Sequence, residues 1–274
     1  MPNALSMNIS QERVAPLSGL AAKLAAAWDL AEAIDRVQVA EQPQDRTEAY
    51  FVQNRMAEEL GHGITGWKVG ATSIKMRELD GHDDVIPGRI LDPTTFVGNS
   101  HSLPISRFPN ARAETEFAFR LSADLPLRGK PWSAEEIAPL ATLHPAIEII
   151  GHRYPTGERA PKVGTLLTIA DNGGGIGFVF GNPVTEWQAI DFQNHVISLK
   201  VDDSAEAENF LGDMRCIPID ALAALINHLA SRGIGLKAGD FVSTGAATVP
   251  QPVKAGSHVV ADFGSIGKIE LQFA

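Results

Sequence analysis

Apolar residues recur at helical spacing from Gly19 to Ile34, an Ala- and Leu-rich stretch, and again from Glu48 to Leu60, where Tyr50, Val52, Met56 and Leu60 fall near one stripe. A polar link, Glu41 to Arg46 with Pro43 inside it, separates the two. The pattern then shortens. Thr65 to Ala71 is apolar and glycine-flanked, which predicts a strand. Asp80 to Pro109 is rich in Pro, Gly, Asp and Ser and predicts loops and short strands, Arg89 to Leu91 among them. Beyond it strands dominate: Ala113 to Leu121, Ala141 to Ile150, Gly177 to Phe180, His195 to Val201, Phe241 to Ser243, Val259 to Phe263 and Ile266 to Phe273. Two helices interrupt them. Pro218 to Ser231 carries Ile219, Leu222, Ile226 and Leu229 on one stripe, with Pro218 suited to a first turn and Gly233 to a stop. Ser133 and Glu136 form a capping-box pair for a short helix before Leu140. Strands and helices do not alternate regularly, which argues against a doubly wound parallel sheet. The expected fold is an α+β or mainly-β body behind a helical N-terminal lobe. The loop-rich stretch divides the chain into residues 1–95 and 96–274.

Composition narrows the function. At 274 residues, 44% hydrophobic and 20% charged, the chain has an ordinary globular balance and is long enough to enclose a site. Its net charge of −10 disfavours non-specific binding to nucleic acid or anionic membrane. A single cysteine, Cys216, excludes an intrachain disulfide framework and CxxC-type metal sites, and fits a reducing compartment. Met1 to Arg13 is polar, without a basic region leading into an apolar stretch, and no apolar run approaches the ~20 residues of a spanning helix. The expectation is a cytoplasmic protein that engages neither nucleic acid nor membrane.

Three acids stand in apolar strands. In Ala113 to Phe119 the alternation of a strand puts Glu114 and Glu116 on one face, and Thr115, Phe117 and Phe119 on the other. Two such carboxylates repel unless solvent or a cation lies between them, so the face is either solvated or built for a hard divalent ion. Glu148 is the one acid in the apolar run Leu143 to Ile150, where a charge is either at a sheet edge or paired. Lys68 is a cation in a glycine-bracketed strand, where it either snorkels to the surface or polarises a carbonyl. The run Asp171 to Gly177 lacks the GxGxxG and P-loop spacings, which leaves close approach of backbone to a ligand or to another strand. Ser243-Thr244-Gly245 either forms a turn or donates hydrogen bonds to a small anion. No GxSxG elbow or HExxH spacing occurs.

GWKVGATS at Gly66 to Ser73, ETEFAF at Glu114 to Phe119, PAIEII at Pro145 to Ile150, TIADN at Thr168 to Asn172 and the closing ADFGSIGKIELQF together resemble one family. It is the 2-keto-4-pentenoate hydratase / 2-oxohepta-3-ene-1,7-dioate hydratase / 4-oxalocrotonate decarboxylase family, in the fumarylacetoacetate hydrolase superfamily. The resemblance implies a fumarylacetoacetase-like body of mixed, rolled β-sheet with a smaller helical lobe. It also implies Mg²⁺ or Mn²⁺ on Glu114, Glu116 and Glu148, and Lys68 as the active-site lysine. The family's further aspartate corresponds to Asp84, with Asp83 as the alternative. The implied ligand is a small 2-oxo acid, contacted by Thr72, Ser73, Lys162, Asn172 and Ser243, and the implied assembly is a homo-oligomer. Hydration of a 2-hydroxy-2,4-dienoate is the first expected reaction, with decarboxylation and C–C hydrolysis behind it. Two departures stand out. Gly151-His152-Arg153 replaces the family's usual Asp-Ser-Arg, and Gly173 to Gly175 replace small polar residues.

Overall fold

The structure is a computed structural model that describes residues 9–155 and 163–274. Its elements run α1 (Gln11–Leu30), α2 (Arg46–Leu60), β1 (Ile64–Gly70), α3 (Ile74–Asp80), β2 (Ile86–Leu91), β3 (Thr95–Val97), β4 (Ser100–Leu103), β5 (Arg112–Leu121), α4 (Ala134–Ile137) and β6 (Ala141–Ile150). They continue with α5 (Thr165–Ala170), β7 (Gly175–Phe180), β8 (Ser198–Val201), α6 (Pro218–Ser231), β9 (Phe241–Ala246), β10 (Gln251–Pro252), β11 (His258–Asp262) and β12 (Lys268–Phe273). Among the described residues, no helix is long and apolar enough to cross a membrane.

The α+β expectation holds. A mixed eight-stranded sheet runs β2-β1-β9-β5-β6-β7-β3, with β10 paired to β5, and a second sheet of four strands runs β4-β12-β11-β8. The first expected helix is displaced toward the N-terminus. It ends at Leu30 because Ala31 turns left-handed, and Ile34 instead donates its N–H to Arg153 O. Asp45 caps α2 by accepting from Glu48 N at 2.8 Å, and Gly61, at φ 62°, ends it. The α6 span and the Ser133–Glu136 capping box are as expected.

Departures have local causes. Helix α3 buries no residue, so it has no apolar stripe to betray it. Ile197, expected inside a strand, has both backbone groups taken by the Asn209 side chain at 2.9 and 2.8 Å, and β8 starts only at Ser198. Ile266 falls in a turn before β12.

Two close approaches set the middle of the large sheet. β1 runs parallel to β9 with Gly66 opposite Phe241, where a Cβ would lie 2.0 Å from the Phe241 carbonyl oxygen. β2 runs antiparallel to β1 and places Gly88 opposite Lys68, and a Cβ at Gly88 would lie 2.2 Å from Asn172 O. Glycine is therefore required where these strands meet their neighbours beside Lys68.

Candidate active site

β5 and β6 pair antiparallel with Glu114 directly opposite Glu148, and Glu116 lies two residues along the same strand as Glu114. One carboxylate oxygen from each of the three lies within 4.8 Å of the other two. Glu114, Glu116 and Glu148 are 7%, 1% and 0% exposed, so this is not a solvated sheet face. A register shift where β9 meets β5 next to Glu116, with Gly245 at φ 115°, aims two donors at that carboxylate. Ser243 Oγ and Gly245 N (2.9 Å) both donate to Glu116 Oε2.

Lys68 is the counterion. Its Nζ donates to Gly173 O at 3.0 Å and lies 3.3 Å from Glu148 Oε1, as an ion pair rather than a hydrogen bond. Neither Glu148 oxygen accepts a hydrogen bond. Burial pushes Glu148 well above the usual carboxylate range. Burial, with Glu116 adding to it, pushes Glu114 up to about 8. For Lys68, burial works against the charge, but Glu148, Glu116 and Glu114 outweigh it and the ammonium is favoured.

With all three acids ionised, the ammonium leaves two negative charges uncompensated. A divalent cation matches that charge, and the donors are hard oxygens, two of them without any hydrogen bond. The residues present therefore fit a divalent metal ion.

The loop after α5 holds Lys68 in place. Asp171 Oδ2 accepts from Arg153 N at 2.7 Å and its Oδ1 pairs with Arg153 Nη1 at 2.6 Å, while the guanidinium lies 3.8 Å over Trp28. Asn172 braces β2: its Oδ1 accepts from Arg89 N at 2.7 Å and its Nδ2 donates to Arg89 O at 2.8 Å. Gly173 and Gly174 then take φ of 71° and 81°, which presents the Gly173 carbonyl to Lys68. A Cβ at Gly175 would lie 2.7 Å from Glu148 Oε1. The glycines serve backbone conformation and close approach to β2 and the acids.

A chamber of about 170 Å³ opens beside the triad, with Lys68, Glu114, Glu116, Thr72 and Ser73 in its wall. Thr72 Oγ1 donates to Thr244 O at 3.0 Å, and Ser73 Oγ donates to Asp213 O at 2.9 Å while capping α3. Ser243 reaches the site through Glu116, whereas the Asn172 side chain is taken up by the Arg89 backbone and does not line the chamber. Asp84 lies in a second, adjoining cavity of about 580 Å³. Its Oδ1 accepts from Val85 N at 2.7 Å and its Oδ2 is 3.8 Å from His228 Nε2. Asp83 pairs with Arg46 at 2.6 Å. Lys162 lies outside the described residues.

Sequence reasoning missed two titratable residues of the triad chamber, Asp80 and His82. Asp80 ends α3, and Gly81, at φ 73°, turns the chain so that His82 Nδ1 comes within 2.8 Å of Thr165 Oγ1. A solvent-facing helix followed by Asp-Gly-His-Asp-Asp gives no pattern that favours one aspartate over another. Cys216 lines both cavities, with its thiol donating to Thr244 O at 3.3 Å and pushed up to about 11 by burial.

No protein-family model matches the chain. It is 30% identical over 242 residues to the 2-oxo-hept-4-ene-1,7-dioate hydratase of Escherichia coli, covering 82% of this chain and 86% of that one. It is 24% identical over 231 residues to the 2-keto-4-pentenoate hydratase of Paraburkholderia xenovorans (strain LB400), covering 82% and 83%. A 26% identity over 233 residues links it to the 4-oxalocrotonate decarboxylase of Pseudomonas putida, covering 82% and 84%. Among solved structures, the 4-oxalocrotonate decarboxylase from Pseudomonas putida G7 complexed with magnesium and adipate shares the fold with a TM-score of 0.82 at 23% identity, covering 97% of this chain and 99% of that one. The fumarylpyruvate hydrolase from Pseudomonas aeruginosa, in complex with Mn²⁺ and pyruvate, matches at 0.52 and 15% identity, covering 76% and 88%. With 30% identity across 82% of its length, the chain belongs to the family of 2-oxo-hept-4-ene-1,7-dioate hydratases, 2-keto-4-pentenoate hydratases and 4-oxalocrotonate decarboxylases.

Proposed function

We propose that this protein is a divalent-metal-dependent hydratase that adds water to a 2-hydroxy-2,4-dienoate to give a 4-hydroxy-2-oxo acid, in the breakdown of aromatic compounds. The observation that carries this reading is the buried triad of Glu114, Glu116 and Glu148 with Lys68 3.3 Å from Glu148. Those three acids would hold Mg²⁺ or Mn²⁺. When bound, the ion supplies Lewis-acid polarisation of the substrate's carboxylate and 2-oxo oxygens.

The chain's own residues do the rest. Lys68 keeps a fixed ammonium next to the developing enolate oxygen, in a buried place where its charge is only weakly screened. It also stands ready to move a proton as the dienol becomes the ketone. Ser243 and Gly245 hold one oxygen of Glu116 in a single orientation. Thr72 and Ser73 line the chamber that receives the acid, and Asp80 and His82 place a carboxyl and an imidazole at its wall. Asp84 stands at the wall of the adjoining cavity. The same reading takes the protein as a cytoplasmic homo-oligomer.

Decarboxylation of a 4-oxalocrotonate-type acid demands the same enolate stabilisation, and a relative bearing that name supports it as the second reading. The test is to supply 2-hydroxypenta-2,4-dienoate with Mg²⁺ or Mn²⁺ and follow loss of the dienol absorbance, identifying the product. Metal-dependent formation of a 4-hydroxy-2-oxo acid is expected. CO₂ release from 4-oxalocrotonate without hydration would favour the second reading, and no consumption of either acid would overturn both.

A further inference from the structure

Gln53 lies on the stripe of α2 that buries Ala49, Met56 and Leu60, and it is itself 0% exposed. An amide in such a place costs free energy unless its hydrogen bonds are made. Its Nε2 donates to Pro87 O at 3.0 Å and to Ile169 O at 2.9 Å, and its Oε1 accepts from Arg89 Nη1 at 3.1 Å. Carbonyls only accept and a guanidinium only donates, so the amide has one orientation.

The two carbonyls belong to the two segments that enclose the Lys68 side chain. Pro87 precedes Gly88 on β2, and Ile169 lies just before the loop that carries Gly173. A Cβ at Gly88 would lie 3.1 Å from Lys68 Cδ, and one at Gly173 would lie 3.3 Å from it. The lysine stem therefore runs in a slot between these two backbones toward Glu148, and Gly173 O takes its ammonium. Asn172 closes one end of the slot through the Arg89 backbone. Gln53 ties the same two walls together from α2, with one hydrogen bond to each. Asn54, the next residue, does different work: its Oδ1 accepts from Arg89 Nη2 at 2.6 Å and Arg232 Nη2 at 3.3 Å.

We infer that Gln53 is a positioning residue for Lys68: by holding β2 and α5 together it fixes the slot that aims the ammonium into the triad chamber. The inference rests on the metal-dependent hydratase reading, in which that ammonium stands beside the enolate oxygen. The test is a double-mutant cycle of Gln53→Met with Lys68→Met. It reads kcat and KM for 2-hydroxypenta-2,4-dienoate with Mg²⁺, and the affinity of the Mg²⁺-loaded protein for oxalate. Oxalate has the planar O–C–C–O shape of a 2-oxo acid enolate and needs no turnover. Gln53→Met keeps the side chain's length and removes both donors. It should lower kcat about 10–100-fold, the cost of a displacement near ~1 Å, with KM nearly unchanged. Oxalate should bind about tenfold more weakly. In the Lys68→Met protein the same substitution should change neither value, because effects that pass through one group do not add. Asn54→Ala controls for lost packing in α2 and should keep kcat. Gln53→Glu, equal in size, replaces Gln53→Met in the cycle if the latter does not fold. Unaltered kcat and oxalate affinity in the Gln53 variant, equal losses in both backgrounds, or an equal loss in Asn54→Ala would overturn the inference and leave the hydratase reading standing. If the unaltered protein consumes no dienoate, the hydratase reading fails, and the oxalate cycle alone decides for or against Gln53. Oxalate bound equally well with and without the Lys68 ammonium would overturn the inference.

Discussion

Glu114 and Glu148 face each other across the β5–β6 ladder, at paired positions that bury both carboxylates. Like charges at such positions destabilise a sheet, and here Lys68 offsets only part of the repulsion. The third acid, Glu116, is the one whose hydrogen bonds come from a neighbouring strand. That asymmetry assigns separate tasks to the groups around the acids, and each can be probed alone.

Ser243→Ala removes one of two donors on Glu116 Oε2 without opening the core, since Gly245 N remains. Groups that orient a metal ligand typically change affinity about 10–100-fold. The variant should weaken Mg²⁺ or Mn²⁺ binding by that amount, measured calorimetrically, while its unfolding midpoint stays within a few degrees. Unchanged metal affinity would return Ser243 to direct contact with the substrate.

Lys68→Met retains much of the apolar stem and removes the ammonium. Loss of a positioned acid–base group costs about 10²–10⁴-fold in rate. Turnover should fall by that range while the metal remains bound, because the acids are kept. Turnover at the unaltered rate would leave Lys68 as a counterion and nothing more.

Asp171 and Arg153 form a buried pair, 0% and 4% exposed, that anchors the loop presenting Gly173 O to Lys68. Asp171→Asn leaves the guanidinium without its counterion and should cost about 3 kcal/mol of stability, read from urea unfolding. A change under about 0.5 kcal/mol would show that stacking on Trp28 holds Arg153 by itself.

His228 titrates out of step with an exposed histidine. Burial, then the Arg232 charge, pushes it down to about 4. The folded protein therefore keeps the ring neutral at a pH where the unfolded chain, with its pKa near ~6.5, takes up a proton. Its stabilising contribution is fully present above pH ~6.5 and is lost as pH falls toward 4, in total about 3 kcal/mol. His228→Gln should flatten the stability profile across that window. Equal acid sensitivity in both proteins would place the titration elsewhere.

The acids were legible in the sequence because alternation in an apolar strand is a strong geometric constraint: Glu114 and Glu116 had to share a face, and Glu148 had to be paired or at an edge. That β6 lies next to β5 and puts Glu148 opposite Glu114 is a matter of strand order, which no local pattern carries. The braces were illegible for the same reason. Asn172 spans to Arg89 and Ser243 to Glu116, partners 83 and 127 residues apart. Asp80 and His82 were hidden by a helix with no buried face.

The central claim is that Glu114, Glu116 and Glu148 bind a divalent ion as one site. The direct measurement is a calorimetric titration of the metal-free protein with Mn²⁺ and Mg²⁺, beside Glu114→Gln and Glu148→Gln, with circular dichroism to verify the fold. One ion per chain is expected for the unaltered protein, and a loss of affinity of at least about 100-fold in each variant, since each removes a ligand rather than a supporting group. Folded variants that bind the ion as tightly as the unaltered chain would contradict the account.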